Sequence, residues 1–394
     1  MTRRATRFSR CTLPAALAAA GLVAGMPAAH ATNGTMPHGY GIKAQGMGGA
    51  SIALPQDALA AANNPAGMAF VGNRLDLGLA VVMPKPASTF GGTDYDGDGV
   101  KAIPIPEFGY NRVIDSRQSV GVSVYGNGVT TKYDNNILGG PGSGKDGAKL
   151  MQLIVSPTYA LRLSETQAVG ISLDLAYQRF RVDGVPDSAG VEGQGTESSM
   201  GAGFKIGWTG QVSDKVTLGA MYSLRTKMGK LDAYSKLLAH SGEFDVPERY
   251  GVGIAVRPVE GVVIAADLMR VNWGDINSLG NALTDAQPGF GWHNQTISRI
   301  GAAWQATPAL TLRTGYSHGT QIVGSKDTTL DYLAPVTPQN HFTLGSTLAM
   351  AGNTELSMVY ARVFGKEVQG SGPSNGVDVR MSQHWIGAAM AWKW

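Results

Sequence analysis

The sequence predicts an all-β protein: a transmembrane antiparallel β-barrel of fourteen strands, with a glycine-rich N-terminal plug of short helices and turns in its lumen. Three observations carry this expectation. An export signal heads the chain, apolar residues alternate with small and polar ones over unusually long spans, and short turns alternate with long polar loops.

The chain opens MTRRATRFSR, with four arginines and no acid, then runs CTLPAALAAAGLVAGMPAAHA into polar TNG. That is the basic, apolar and small-residue order of a secretory signal, with Ala29-His30-Ala31 as the expected cleavage site. Residues 1–31 are therefore set apart from fold reasoning. Without Arg3, Arg4, Arg7 and Arg10 the basic residues fall from 32 to 28 against 29 acids. The basic character belongs to the signal, and nothing points to nucleic acid. Cys11, the one cysteine, leaves too, which excludes disulfides and thiol chemistry. It precedes the apolar stretch, which argues against a lipoprotein anchor. Glycine, at 54 of 394 residues, is about twice as frequent as usual.

Strand length separates a membrane barrel from a soluble sandwich. In Ala168–Val182 one face carries Val169, Ile171, Leu173, Leu175 and Tyr177, and the other Gly170, Ser172, Asp174, Ala176 and Gln178. Arg179 and Arg181 end the apolar face, where charges reach a membrane surface. Val216–Arg225 and Val262–Met269 repeat the pattern, with Asp267 on the less apolar face. Soluble strands are typically 5–6 residues, whereas tilted membrane strands need about ten. The expected strands are 72–84, 100–113, 118–132, 149–163, 167–182, 199–213, 215–229, 247–259, 261–274, 294–306, 309–320, 340–350, 354–365 and 380–394. Their joints are short at Ser164-Glu165-Thr166, Ser213-Asp214-Lys215, Glu260-Gly261 and Ala351-Gly352-Asn353. They are long and polar at 139–149, 184–199, 277–292 and 323–339. This is the asymmetry of periplasmic turns and outer loops. The last strand, HWIGAAMAWKW, aligns Ile386, Ala388, Met390, Trp392 and Trp394 on one face, as an aromatic girdle requires.

Residues 32–71 do not alternate. Pro55 reads as the start of a short helix through Asp57 and the following alanines, stopped by Asn63-Asn64-Pro65. Irregular backbone cannot face lipid, because its amides would go unsatisfied, but it can sit inside a barrel. The segment therefore reads as a compact plug before the first strand.

NGTMPHGYGIKAQGMGGASIALPQDALAAANNPAGM resembles the N-terminal hatch of the FadL family of outer-membrane channels for long-chain fatty acids and aromatic hydrocarbons. The matching residues are Asn33-Gly34, Gly46-Met47-Gly48-Gly49-Ala50, Asp57-Ala58 and Asn64-Pro65-Ala66. VSPTYALRLSETQAVGISLDLAYQ, LTLRTGY and the aromatic C-terminus extend the likeness less specifically. The resemblance implies three parts: signal 1–31, hatch 32–71 and barrel 72–394. It implies a monomer in the outer membrane of a Gram-negative bacterium, touching lipid and lipopolysaccharide, with Trp394 ending the strand read by the assembly machinery. It also implies a hatch that gates through Gly48, Gly49, Asn64, Pro65 and Ala66. The ligand pocket would be helped by Thr32, Asn33 and Gly34. A kink in the third strand would make a sideways exit, and Gly126-Asn127-Gly128 interrupts that strand here.

Other constellations weigh less. Asp94, Asp96 and Asp98 are spaced as in a calcium loop, but the twelfth position is Ile105 rather than Glu, so a polar outer loop is the plainer reading. The histidines form no H-x-x-x-H pair, His38 reads as structural, and there is no G-x-S-x-G and no ATP motif. No enzyme activity and no cofactor is expected. Arg313, Arg225 and Lys205 either meet a ligand carboxylate or pair with Asp174 and Asp267. The expected function is passive, gated uptake of hydrophobic molecules, leaving an apolar lumen pocket sideways into the bilayer. The alternatives are a diffusion porin for polar solutes and a surface or adhesin barrel.

Overall fold

The structure, a computed structural model, describes residues 33–139, 144–185 and 195–394. The signal and Thr32 lie outside the described residues. Fourteen strands run up and down in order: β1 (Arg74–Phe90), β2 (Ile103–Val113), β3 (Gln118–Lys132), β4 (Gly147–Arg162), β5 (Gln167–Asp183), β6 (Glu197–Ser213), β7 (Val216–Ser223), β8 (Arg249–Val256), β9 (Val262–Val271), β10 (Gln295–Gln305), β11 (Leu310–Gly319), β12 (Asn340–Met350), β13 (Thr354–Val368) and β14 (Val377–Lys393). Each pairs antiparallel with the next, and β14 pairs with β1 from Arg74↔Lys393 to Phe90↔Val377. The sheet closes on itself as a barrel. A short strand, Thr93–Asp96, folds back on the end of β1, and Lys227–Met228 adds to β6.

Burial follows the expected alternation with the membrane sense. On β5, Ile171 and Leu175 are exposed while Ser172, Asp174, Ala176 and Gln178 are buried. On β14, Ile386, Ala388 and Trp392 are exposed while Gln383, Trp385 and Ala391 are buried. Apolar rows outward and polar rows inward are the reverse of a soluble core and suit a hydrocarbon solvent.

Strand ends differ from expectation in instructive places. β1 runs past Pro84 and Pro86 to Phe90 rather than stopping at 84. Proline is tolerated there because the ladder to β2 ends at Val82↔Ile103, so one edge of β1 needs no amide donor. β7 stops at Ser223, well short of 229. The chain then crosses to bond Thr226 with Val246 and to lay Lys227–Met228 beside β6.

Residues 33–72 lie inside the wall and are almost wholly buried. The helix expected from Pro55 is a single turn, Ala60–Asn63. It ends where expected, at Asn64, whose extended backbone starts a 3-10 turn over Pro65–Ala69 and whose side chain accepts the Ala66 amide at 3.1 Å.

Candidate functional site: the lumen

The inner, periplasmic half of the lumen holds the N-terminal segment by charge. Asp267 on β9 accepts the amides of Ser51 and Ile52 at 2.7 and 3.1 Å. Asp76 on β1 accepts Ala58 N at 2.9 Å and pairs with Arg74 through two bonds of 2.7 Å. Glu107 on β2 accepts Gly41 N at 3.0 Å, and Lys43 reaches Glu355 at 2.5 Å. Charge-assisted bonds of this kind are roughly twice as strong as neutral ones.

Shape adds to charge. Gly49 has φ +87°, and a Cβ there would meet the His38 carbonyl at 1.8 Å. Asn64 donates to the Ile52 and Trp208 carbonyls at 2.8 and 3.0 Å. It fits there only because β6 carries Gly207, where a Cβ would stand 1.9 Å from the Asn64 amide oxygen. The knot Asn64-Pro65-Ala66 is thus keyed into the wall, and Gly48 donates its amide to Thr343 on β12 at 2.9 Å.

The outer half is apolar. Val129, Leu150 and Phe180 from β3–β5 and Met269 and Ile297 from β9–β10 point inward. Trp273, Trp292, Tyr332 and Leu333 descend from the long loops to complete one buried cluster, and Met36 joins it from below.

Between the halves lies a polar layer. Asn33, Tyr40, Arg249 and Arg299 border a small cavity of about 20 Å³, room for about one water. Arg249 donates to Tyr40 Oη and the Ala62 carbonyl, both at 3.2 Å. The amide of Asn33, Arg299 Nε, Gln295 Oε1 and Ser317 Oγ are buried with no hydrogen-bond partner among the described residues. Leaving such groups bare is costly, which marks the layer as a place for a polar ligand group.

The wall is discontinuous along β3. β3 is laddered to β4 along its whole length, from Gln118↔Leu161 to Lys132↔Gly147. Its ladder to β2 stops at Phe108↔Val124. Pro104 and Pro106, two apart on β2, have no amide hydrogen to offer. Gly126, Asn127 and Gly128 lie on the unladdered edge. There Gly128 N donates to the Thr35 carbonyl of the N-terminal segment at 2.8 Å, and Asn127 accepts Tyr40 Oη at 2.6 Å. Residues 127–131 are buried in unbroken succession, where alternation would expose every second one.

The sequence-expected residues distribute as follows. Gly34 stands against the Trp273 ring of the apolar cluster, while Asn33 belongs to the polar layer. Lys205 pairs with Asp174 at 3.2 Å, and Arg313 donates to Gln56 at 3.0 Å. Arg225 is a correction: it lies beyond β7 and pairs with Glu243 at 3.2 Å, away from the inward row, because the strand ends before it. The aspartates of the calcium-like spacing are engaged elsewhere. Asp94 bonds Arg380 and Asp98 bonds Lys101, and no three such side chains converge among the described residues. Arg249, Arg299 and the proline pair were missed. Only the prolines left a local signal, in the string IPIPE.

The sequence profile of the family described as outer membrane protein transport protein (OMPP1/FadL/TodX) matches residues 22–391. No curated protein matches in sequence. Among solved structures, the Pseudomonas putida toluene transporter TodX is similar at a TM-score of 0.69 and 20% identity, covering 91% of this chain and 99% of that one. The Ralstonia pickettii toluene transporter TbuX gives 0.66 and 18%, covering 91% and 99%. A Pseudomonas aeruginosa FadL homologue gives 0.68 and 15%, covering 93% and 99%. At these identities the likeness establishes the fold.

Proposed function

The chain belongs to the OMPP1/FadL/TodX family of outer membrane transport proteins, and from that premise we propose that it is a gated channel releasing hydrophobic molecules sideways into the bilayer. The family is one of transporters, not enzymes. Ligand collects in the apolar outer half of the lumen, and residues 33–37 of the hatch then shift to uncover the edge of β3. The observation carrying this reading is the bond from Gly128 N to the Thr35 carbonyl, which puts the hatch, in place of β2, on that edge. An apolar solute gains about 0.8 kcal/mol per CH₂ by staying out of water, so a dry route into hydrocarbon suits it better than an aqueous pore. The 20 Å³ cavity leaves a diffusion porin little support.

The bare polar groups of the middle layer favour an amphiphile over a neutral aromatic. Arg299 Nε and the Asn33 amide offer donors to a carboxylate, while the apolar cluster above takes a chain. Long-chain fatty acids are therefore the proposed substrates.

The test is uptake of labelled oleate, beside labelled toluene, in cells lacking their own hydrophobic-compound channels. A Thr35→Cys/Gly128→Cys pair ties hatch to wall when oxidised; Cys11 is the only natural cysteine. Oleate uptake should fall at least tenfold on oxidation and recover on reduction. Uptake indifferent to the cross-link would remove the sideways route, and uptake of toluene alone would remove the fatty-acid assignment.

A further inference from the structure

We infer that the outer rim of the barrel, where β13, β14 and β1 meet, binds a phosphorylated glycolipid of the outer leaflet. The outward-facing residues there change character along the strands. Starting inside, Leu75, Trp392 and Thr354 are in register, then Leu77, Met390 and Leu356, then Leu79, Ala388 and Met358, then Val81, Ile386 and Tyr360. The next row is Met83, His384 and Arg362, and above it stands Lys85 opposite Ser382; past the bulge that follows Val363, exposed Lys366 lies opposite Met381 at the rim. His384 lies eight residues above Trp392. At about 3.3 Å per residue and a tilt near 40°, that is roughly 20 Å of height, close to the roughly 25 Å apolar band of such barrels. The basic side chains therefore stand where hydrocarbon gives way to head groups.

Lys85, Arg362 and Lys366 form no ion pair with a carboxylate among the described residues, whereas Arg380 just above is held by Asp94 at 3.3 Å and Glu367 at 3.7 Å. Arg362 instead approaches His384, whose other ring nitrogen meets Tyr360 Oη at 2.9 Å. Lys85 and Arg362 flank His384 on the two neighbouring strands and pair with no acid among the described residues, which fits a shared anion. The rim is not basic all round: across the barrel Tyr222 donates to Glu248 at 2.5 Å and stacks on Tyr250.

A groove of about 580 Å³ opens beside the cations, with Lys85, Lys366 and Arg380 on its walls together with Asp96, Asp98 and Glu367. Phosphate suits the cations, sugar hydroxyls suit the carboxylates, and the apolar rows beneath suit acyl chains. One amphiphile supplies all three.

The test uses the purified full chain in detergent micelles, titrated with bisphosphorylated lipid A and read by native mass spectrometry. The wild type should retain it, and Lys85→Gln/Arg362→Gln/Lys366→Gln should bind at least tenfold more weakly. Arg117→Gln/Lys215→Gln/Arg257→Gln at the periplasmic turns should bind as the wild type does. Fully dephosphorylated lipid A and phosphatidylglycerol should each bind at least tenfold more weakly to the wild type. The idea fails if the rim variant binds within twofold of wild type, or if dephosphorylated lipid A binds equally. It fails equally if phosphatidylglycerol matches lipid A, or if 10 mM inorganic phosphate displaces the lipid. Heat-resistant migration in gels checks folding; should the triple variant lose it, Lys85→Ser alone should weaken binding about threefold, and no change would overturn the proposal.

Discussion

The two halves of the lumen are filled by different chemistry. In the inner half the hatch is fastened by carboxylates to amides and by ion pairs, and its Asn64 is keyed against Gly207. In the outer half, strand and loop meet through one buried apolar cluster, with few hydrogen bonds such as Thr131 to the Leu333 carbonyl and Trp292 to Asp331. Directional bonds resist displacement, while apolar contacts exchange readily for an apolar ligand. The contrast assigns permanence to residues 38–71 and movement to residues 33–37, which join the hatch to the apolar half.

Breaking the fastened half should have the largest effect. Asp267→Ala removes the acceptor of two hatch amides, each charge-assisted bond worth roughly 1.5–3 kcal/mol. At 1.4 kcal/mol per tenfold, the loosened hatch should populate open lumens at least a hundredfold more often. Planar-bilayer recordings should show ion-conducting steps absent from the wild type. A variant as silent as the wild type would mean that the glycine contacts alone hold the plug.

The middle layer allows a finer test. Arg299→Gln keeps a donor and removes the charge beside the cavity. Oleate uptake should fall about tenfold, with toluene uptake within twofold of wild type. A parallel fall in both would show that Arg299 serves the barrel's structure and not ligand choice.

What the sequence disclosed follows from the range of the forces involved. Alternation is a local consequence of one face in lipid and one in the lumen, so Ile171 beside Ser172 was enough to orient β5. The plug was legible because Asn64-Pro65 and Gly48-Gly49 announce turns wherever they stand. Arg249 and Arg299 were not legible as a pair, since their shared height depends on the stagger of β8 against β10, which no single strand encodes. Gly126–Gly128 mark one side of the break, the edge of β3 that β2 leaves unladdered. Its physical origin is better read in Pro104 and Pro106, which withhold amide hydrogens from the neighbouring strand. A broken ladder has two sides, glycines on one strand here and prolines on the other.

The smallest expected effect concerns the loops that close the outer half. Asp331 is wholly buried there; its Oδ1 accepts Trp292 Nε1 at 2.7 Å and its Oδ2 meets no donor. Burial holds its pKa well above the usual carboxylate range, and nearby Asp327 pushes the same way. The folded loop therefore binds a proton that the opened loop releases. Its stability is greatest near pH 4 and declines as pH rises toward the folded pKa. Asp146, which accepts Tyr332 Oη at 3.3 Å, is raised by burial and adds to the same slope. Amide exchange over residues 328–336, corrected for intrinsic rates, should thus be slower at pH 5 than at pH 7. Asp331→Asn should remove part of that difference, and adding Asp146→Asn should remove most of it. Equal protection at both pH values in the wild type would mean that Asp331 is ionised in place. The apolar half would then hold a permanent charge, and its contrast with the inner half would narrow to one of degree.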